Sequence, residues 1–201
     1  MLKKKLILAS TSPFRKSILE KLNIPFQCVK PDVDETSLKN ESPINLVERL
    51  AIEKAKAVKK NHPDALIIGS DQVALCDGEI LGKPHNFENG VVQLNKFSGK
   101  VVTFYTGLCV YDSHNDKTLS LVEHFNVHFN SLSQQDIENY LHAEQPYNCA
   151  GSFKSEGLGI CLFKKLAGDD PNTLIGLPLI QLVALLKEHH FDVLAQQDVF
   201  I

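Results

Sequence analysis

Asp71 follows an apolar run, Leu66, Ile67 and Ile68, across Gly69 and Ser70. The run reads as a buried strand, and a glycine after it lets the backbone bend or lets another group come close. Asp71 is therefore expected at the mouth of a sheet. A carboxylate held on a rigid element can bind a metal or take a proton from water, provided other charged groups converge on it. Arg15 and Lys16 fall in the first turn of a helix expected to open at Pro13, where the helix dipole disfavours cations. With the hydroxyls of Ser10, Thr11 and Ser12 and the unpaired backbone N–H groups of that turn, Arg15 could build a phosphate cradle. The alternative is a solvent-exposed basic turn.

Lys54 is a second unusual cation. At about 100° per residue from Leu46, it points between Leu50 and Val47, inside the apolar stripe of its helix, while Arg49, Lys56 and Lys60 lie opposite. Either its stem snorkels outward or its ammonium is aimed at a buried anion. Asp32, Asp34 and Glu35 form an acidic cluster in an aperiodic segment, which solvated loop charge would explain. Paired with Asp71, Asp34 or Glu35 could instead complete a magnesium site, because magnesium takes only one or two carboxylates beside water and phosphate oxygens. Lys83, between Gly82 and Pro84, is a stiffly placed cation, and Lys154 lies in a glycine-rich stretch that could approach a ligand.

Other candidates fail on chemistry. His124 and His128 have the spacing of a helical zinc motif, but Val122 to Phe129 alternates as a strand does and no Glu follows the first histidine. Ser155 lacks the pattern of a nucleophile elbow, and no Walker-type phosphate loop is present.

These residues must be carried by alternating strands and helices. Leu6 to Ala9 reads as a strand. Ser12-Pro13 opens a helix to about Leu22, and Ser42-Pro43 opens another from about Ile44 to Lys60. Asp77-Gly78 predicts a tight hairpin between Val73–Leu75 and Glu79–Leu81. A helix over Phe87 to Phe97, strands over Val101 to Tyr111 and Thr118 to Phe129, and a helix capped by Ser133 follow. After the glycine-rich segment 151–159, a strand from about Ile160 to Leu166 and a helix near Pro178 to His189 complete the reading. Hairpins interrupt the alternation, so the sheet should be mixed.

With 201 residues and 43% hydrophobic content the chain can bury one substantial core. Its net charge of −3 argues against bulk binding to nucleic acid or to an anionic membrane, so Lys3-Lys4-Lys5 reads as a solvated lead-in to the first strand. The four-residue apolar run after it is too short for a signal peptide or a membrane span. Five scattered cysteines without a close pair suggest reduced thiols in a cytoplasmic protein.

Taken together, Leu8-Ala9-Ser10-Thr11-Ser12-Pro13-Phe14-Arg15, Asp34-Glu35-Thr36, Ile68-Gly69-Ser70-Asp71-Gln72, Gly82-Lys83-Pro84 and Gly151-Ser152-Phe153-Lys154-Ser155-Glu156-Gly157 resemble the Maf family of nucleoside triphosphate pyrophosphatases. The match runs in order to Asp170-Pro171-Asn172-Thr173 and Gly176-Leu177-Pro178 and is specific as a set. The resemblance implies a single domain over 1–201, of mixed α/β fold (Maf/Ham1-like), with a twisted sheet, flanking helices and two lobes around a cleft, and a homodimer. It implies cleavage between the alpha and beta phosphates of a nucleotide with a divalent cation, magnesium or manganese. By position Asp71 would be the general base and, with Glu35, a metal ligand. Ser10, Arg15, Lys54 and Lys83 would bind phosphate.

The family usually has Ser-Pro-Arg-Arg where this chain has Ser12-Pro13-Phe14-Arg15. Phe14, Gln72 and Glu156 are similar to the subgroup acting on 7-methyl-GTP, in which Trp is commoner than Phe. N7-methylated guanine is cationic, and an aromatic face with a nearby carboxylate favours it over guanine. Pyrophosphatases for another non-standard or a pyrimidine nucleotide, and a non-catalytic nucleotide-binding regulator of cell division, are the alternatives.

Overall fold

A computed structural model of the chain describes residues 4–197, so Lys3 of the basic lead-in lies outside the described residues. Strand β1 (Lys5–Leu8) leads into helix α1 (Pro13–Glu20), whose cap Ser12 accepts from the Arg15 backbone N–H. Proline suits the first turn because its missing N–H would have had no helical partner there. After the two-residue strand β2 (Gln27–Cys28), helix α2 (Pro43–Ala57) opens in the same way on Ser42. Strands β3 (Ala65–Cys76) and β4 (Glu79–Leu81) meet at Asp77-Gly78, with Cys76 opposite Glu79. Both turn residues have positive φ, 50° and 80°, as the two-residue hairpin turn requires.

Helix α3 (Phe87–Phe97), strands β5 (Val101–Asp112) and β6 (Lys117–Phe129), helix α4 (Gln134–Glu144), strand β7 (Phe163–Ala167) and helices α5 (Pro171–Ile175) and α6 (Leu179–Glu188) follow. At the start of α4, Ser133 and Asp136 form both halves of a capping box. His124 and His128 lie on β6, as their alternation predicts.

Two boundaries depart from expectation. The strand expected from Ile160 begins at Phe163, because Leu158–Leu162 form a tight 3-10 turn. β3 does not stop before the acid: it is one twelve-residue strand, and Asp71 lies within it. What ends nearby is β1, whose parallel register closes at Leu8 opposite Ile68.

The strands form one seven-stranded sheet ordered β2-β1-β3-β5-β6-β7, with β4 pairing on β3. β2 and β3 flank β1 in parallel, whereas β4 and β7 run antiparallel to β3 and β6. The architecture is thus mixed α/β. The chain forms two compact units, the first taking residues up to Asp71, Thr106–Glu123 and those from Gly176 onward, the second Gln72–Tyr105 and His124–Ile175.

The first unit buries Ile7, Ala51, Ala55, Val58, Ile67, Cys109 and Tyr111 together; each large aliphatic stabilises by roughly 1.5–3 kcal/mol. Helix α2 lies against glycines there. A Cβ on Gly69 would fall 2.0 Å from the Ala51 carbonyl oxygen, and one on Gly107 2.1 Å from that of Val47. Lys4 is no mere solvated charge, since it pairs with buried Asp112. Burial pushes the Asp112 carboxyl up, but Lys4 and Asn115 outweigh it and bring the pKa down to about 2.

The second unit has an aromatic core. Phe153 packs edge-on to Phe104, Phe129 and Phe163, with ring centroids 5.3, 5.7 and 4.8 Å away, contacts worth about 0.5–1.5 kcal/mol each beyond their buried area.

Candidate active site

Asp71 and Lys54, seventeen positions apart, meet in the first unit. Lys54 Nζ donates to Asp71 Oδ1 at 2.6 Å and lies 2.8 Å from Glu35 Oε1. Lys54 is buried (6% exposed), as is Asp71 (7%), whereas the Glu35 side chain is 61% exposed. The lysine in the apolar stripe of α2 therefore faces buried anionic charge. Gly69 lets that helix sit close to β3, within the reach of one lysine stem. Of the acidic cluster, Glu35 reaches Lys54. Asp34 Oδ1 accepts from the Thr36 N–H at 2.9 Å, and the Thr36 hydroxyl and backbone hold its pKa below the ordinary value.

Arg15, half-buried in the first turn of α1, joins the same group. Burial lowers its pKa, and the negative charges of Asp71 and Glu35 oppose that shift. Its Nε donates to the Gly176 carbonyl at 2.8 Å, and Ser70 Oγ donates to that oxygen at 2.9 Å. Ser10 is buried, and its Oγ accepts from the Ser12 N–H at 3.1 Å. Gly176 belongs to the family resemblance in the sequence, but no role is assigned to it there. It acts through a backbone oxygen, and its only local trace is φ +119°, a conformation side-chain-bearing residues rarely adopt.

The remaining sequence candidates belong to two places. Phe14 is half-buried on α1. In the second unit, Gln72 is half-buried, and its Nε2 donates to the carbonyls of Thr173 at 2.8 Å and Leu174 at 3.2 Å, which fixes its amide orientation. Lys83 is exposed just after β4, and Glu156 is exposed beside Ser155, whose Oγ lies 3.2 Å from Glu156 Oε2. Burial pushes the Cys149 thiol up to about 11, with Glu156 adding to the shift and Lys154 and Lys83 opposing it. Lys83, Lys154 and Glu156 thus share one neighbourhood around Cys149. Lys154 is tied within it, its Nζ 3.0 Å from both the carbonyl and a carboxylate oxygen of Glu144.

A hard divalent cation suits the donor set around Lys54. Two carboxylates already converge on a single positive charge there. No group of three or more His, Cys, Asp or Glu converges among the described residues. The remaining positions would fall to water and phosphate oxygens, which matches the habit of magnesium and not that of zinc.

Comparison with known proteins finds a family and near-full-length relatives. A family model described as Maf-like protein matches residues 5–189. A Colwellia psychrerythraea protein named 7-methyl-GTP pyrophosphatase is 78% identical over 194 residues, covering 96% of this chain and 97% of that one. Proteins of the same name from Pseudoalteromonas translucida and Vibrio parahaemolyticus are 59% and 54% identical, covering 96% and 94% of this chain and 95% and 97% of theirs. The solved Ham1 protein of Staphylococcus aureus shares the fold, with a TM-score of 0.55 at 15% identity over 92% of this chain and all of that one. A family match over residues 5–189, with relatives 54–78% identical over nearly their whole length, leads to one assignment: the chain belongs to the Maf family.

Proposed function

We propose that this protein is a nucleoside triphosphate pyrophosphatase that hydrolyses 7-methyl-GTP between the alpha and beta phosphates, giving 7-methyl-GMP and pyrophosphate. The observation that carries the reading is the Lys54 ammonium held between Asp71 and Glu35 beside Arg15; the names of the relatives supply the substrate. Asp71 orients a water and takes its proton as the oxygen attacks the alpha phosphorus. Arg15, Lys54 and Lys83 balance charge developing on the phosphates, and pyrophosphate leaves. Ser10, beside the N-terminus of α1, offers a hydroxyl to a phosphate oxygen. Asp71 and Glu35 would hold a magnesium or manganese ion, which when bound supplies Lewis-acid polarisation of the phosphate oxygens.

Phe14, Gln72 and Glu156 are the residues we assign to base selection. The ring of Phe14 and the carboxylate of Glu156 favour a cationic, methylated guanine. A homodimer in the cytoplasm belongs to the same reading. All five cysteines are free thiols, as a reducing compartment maintains them, and among the described residues no helix is long and apolar enough to cross a membrane.

One set of assays tests the proposal: pyrophosphate release from 7-methyl-GTP, GTP, UTP and ITP at matched concentrations, by wild type and Asp71→Asn. Wild type should prefer 7-methyl-GTP, and Asp71→Asn should lose roughly 10²–10⁴-fold in rate, the usual worth of a general base, when assayed well below its own melting temperature. Equal rates on GTP and 7-methyl-GTP would remove the methyl selectivity. Undiminished release by Asp71→Asn would remove the base, and nucleotide binding without release from any substrate would leave a regulator.

A further inference from the structure

Gln93 is a buried amide on α3 to which the proposed reaction gives no task. A buried amide needs partners, and this one has two from distant parts of the second unit. Its Nε2 donates to the Gly82 carbonyl at 3.2 Å, and its Oε1 accepts from Ser152 Oγ at 2.5 Å. The orientation follows from the partners: a carbonyl only accepts, so the nitrogen faces Gly82 and the serine hydroxyl donates to the oxygen. The Gly151 N–H reaches the same Gly82 carbonyl at 3.4 Å.

One end of this link is unusual backbone. Gly151 and Ser152 have φ of 76° and 60°, and a serine stays in that region only where its surroundings determine it. Ser152 is fully buried, and a Cβ on Gly151 would fall 2.7 Å from Phe104 Cζ. Gly82 is the opposite case. A Cβ there would meet nothing within 4 Å, so packing does not restrain it, and glycine has the widest backbone freedom. The next residue is Lys83, followed by buried Pro84, whose carbonyl accepts from Asn89 Nδ2 at 2.9 Å. Proline and that bond restrain Lys83 from the C-terminal side; on the N-terminal side the restraint is the Gly82 carbonyl held by Gln93 and Gly151.

We propose that Gln93 is a positioning residue, which holds the Gly82 carbonyl against the Gly151–Ser152 turn and thereby aims the Lys83 ammonium at the substrate phosphates. This rests on the phosphate-binding role given to Lys83 above. The test is a double-mutant cycle on kcat/KM for 7-methyl-GTP, with Gln93→Met, Lys83→Met and the double variant, each assayed well below its own melting temperature. Gln93→Met should lose about tenfold, since a misaimed group forfeits much of its orientation advantage. In the Lys83→Met background it should lose less than about twofold, because there is nothing left to aim. Independent, multiplying losses, or full activity in Gln93→Met, overturn the proposal.

Should Gln93→Met fail to fold, the isosteric Gln93→Glu replaces it. Its carboxyl donates to Gly82 only while protonated, so its rate relative to wild type should fall with rising pH when Lys83 is present and should not when it is absent. A pH-independent ratio, or the same fall in both backgrounds, overturns the proposal. If wild type releases no pyrophosphate from 7-methyl-GTP, the proposed function fails on its own, and the same cycle is read on the Kd for magnesium pyrophosphate, where the same outcomes decide.

Discussion

A lysine ammonium 2.6 Å from one carboxylate and 2.8 Å from another offsets part of the charge of both only while it stays between them. An ion held by Asp71 and Glu35, as proposed, would compete with the Lys54 ammonium for the same oxygens. Removing Lys54 leaves a buried carboxylate short of a partner, a change that costs about 3–5 kcal/mol in general. Arg15 remains beside Asp71, so the lower end applies. Lys54→Met should lose about 3 kcal/mol, or roughly 6–12 °C for a chain of this size. Magnesium alone should restore part of that loss while hardly moving wild type, as thermal melts with and without the ion would reveal. A wild type stabilised more than the variant would show that Lys54 does not compete. Lys54 was legible in the sequence because helical phase exposes a charge on an apolar face. The role of Gly176 was not, because a carbonyl oxygen that accepts from Arg15 and Ser70 leaves no side-chain signature.

At the scale of elements, the reach of Lys54 is set by how closely α2 lies against β3. A methyl on Gly69 would fall 2.0 Å from the Ala51 carbonyl oxygen. That atom belongs to helix backbone and cannot rotate away as a side chain would, so the whole helix must move. Gly69→Ala should cost about 3 kcal/mol, the upper end for overpacking. Among molecules still folded, kcat/KM should drop by up to roughly 100-fold as Lys54 shifts against Asp71. Denaturant melts and turnover measured under native conditions separate the two effects; a stable Gly69→Ala with wild-type turnover would show that this contact does not set the geometry.

Elements with explicit turn or cap chemistry were readable, among them the Asp77-Gly78 hairpin and the helices opened by Ser12-Pro13 and Ser42-Pro43. The continuity of β3 was not. Ser70 and Asp71 look like the end of a strand until Gly176 and Lys54 are known to satisfy them within it. β2 and α5, at two and five residues, are too short for periodicity to register, and the apolar 3-10 turn Leu158–Leu162 imitates the strand it precedes.

At the scale of the molecule, the first unit is assembled from three stretches of chain far apart in sequence. Its last stretch supplies the Gly176 carbonyl and the buried side chains of Leu177, Leu182, Leu185, Leu186, Phe191 and Val193. At roughly 1.5–3 kcal/mol for each large apolar side chain, these together match or exceed the 5–15 kcal/mol by which a typical domain is stable. A chain ended at Ile175 should therefore lose hydrogen-exchange protection at the β1 amides; wild-type protection there would show that the unit closes without this stretch. The order of assembly also imposes a schedule on synthesis. At about 5–20 residues per second, the ribosome takes on the order of 10–30 s to travel from β1 to Gly176, and until then the strand bearing Asp71 lacks its last neighbours. Arg15 and Ser70 therefore have no Gly176 carbonyl to donate to until that residue has been made, and the charged cluster is completed later than the strand that bears its acid.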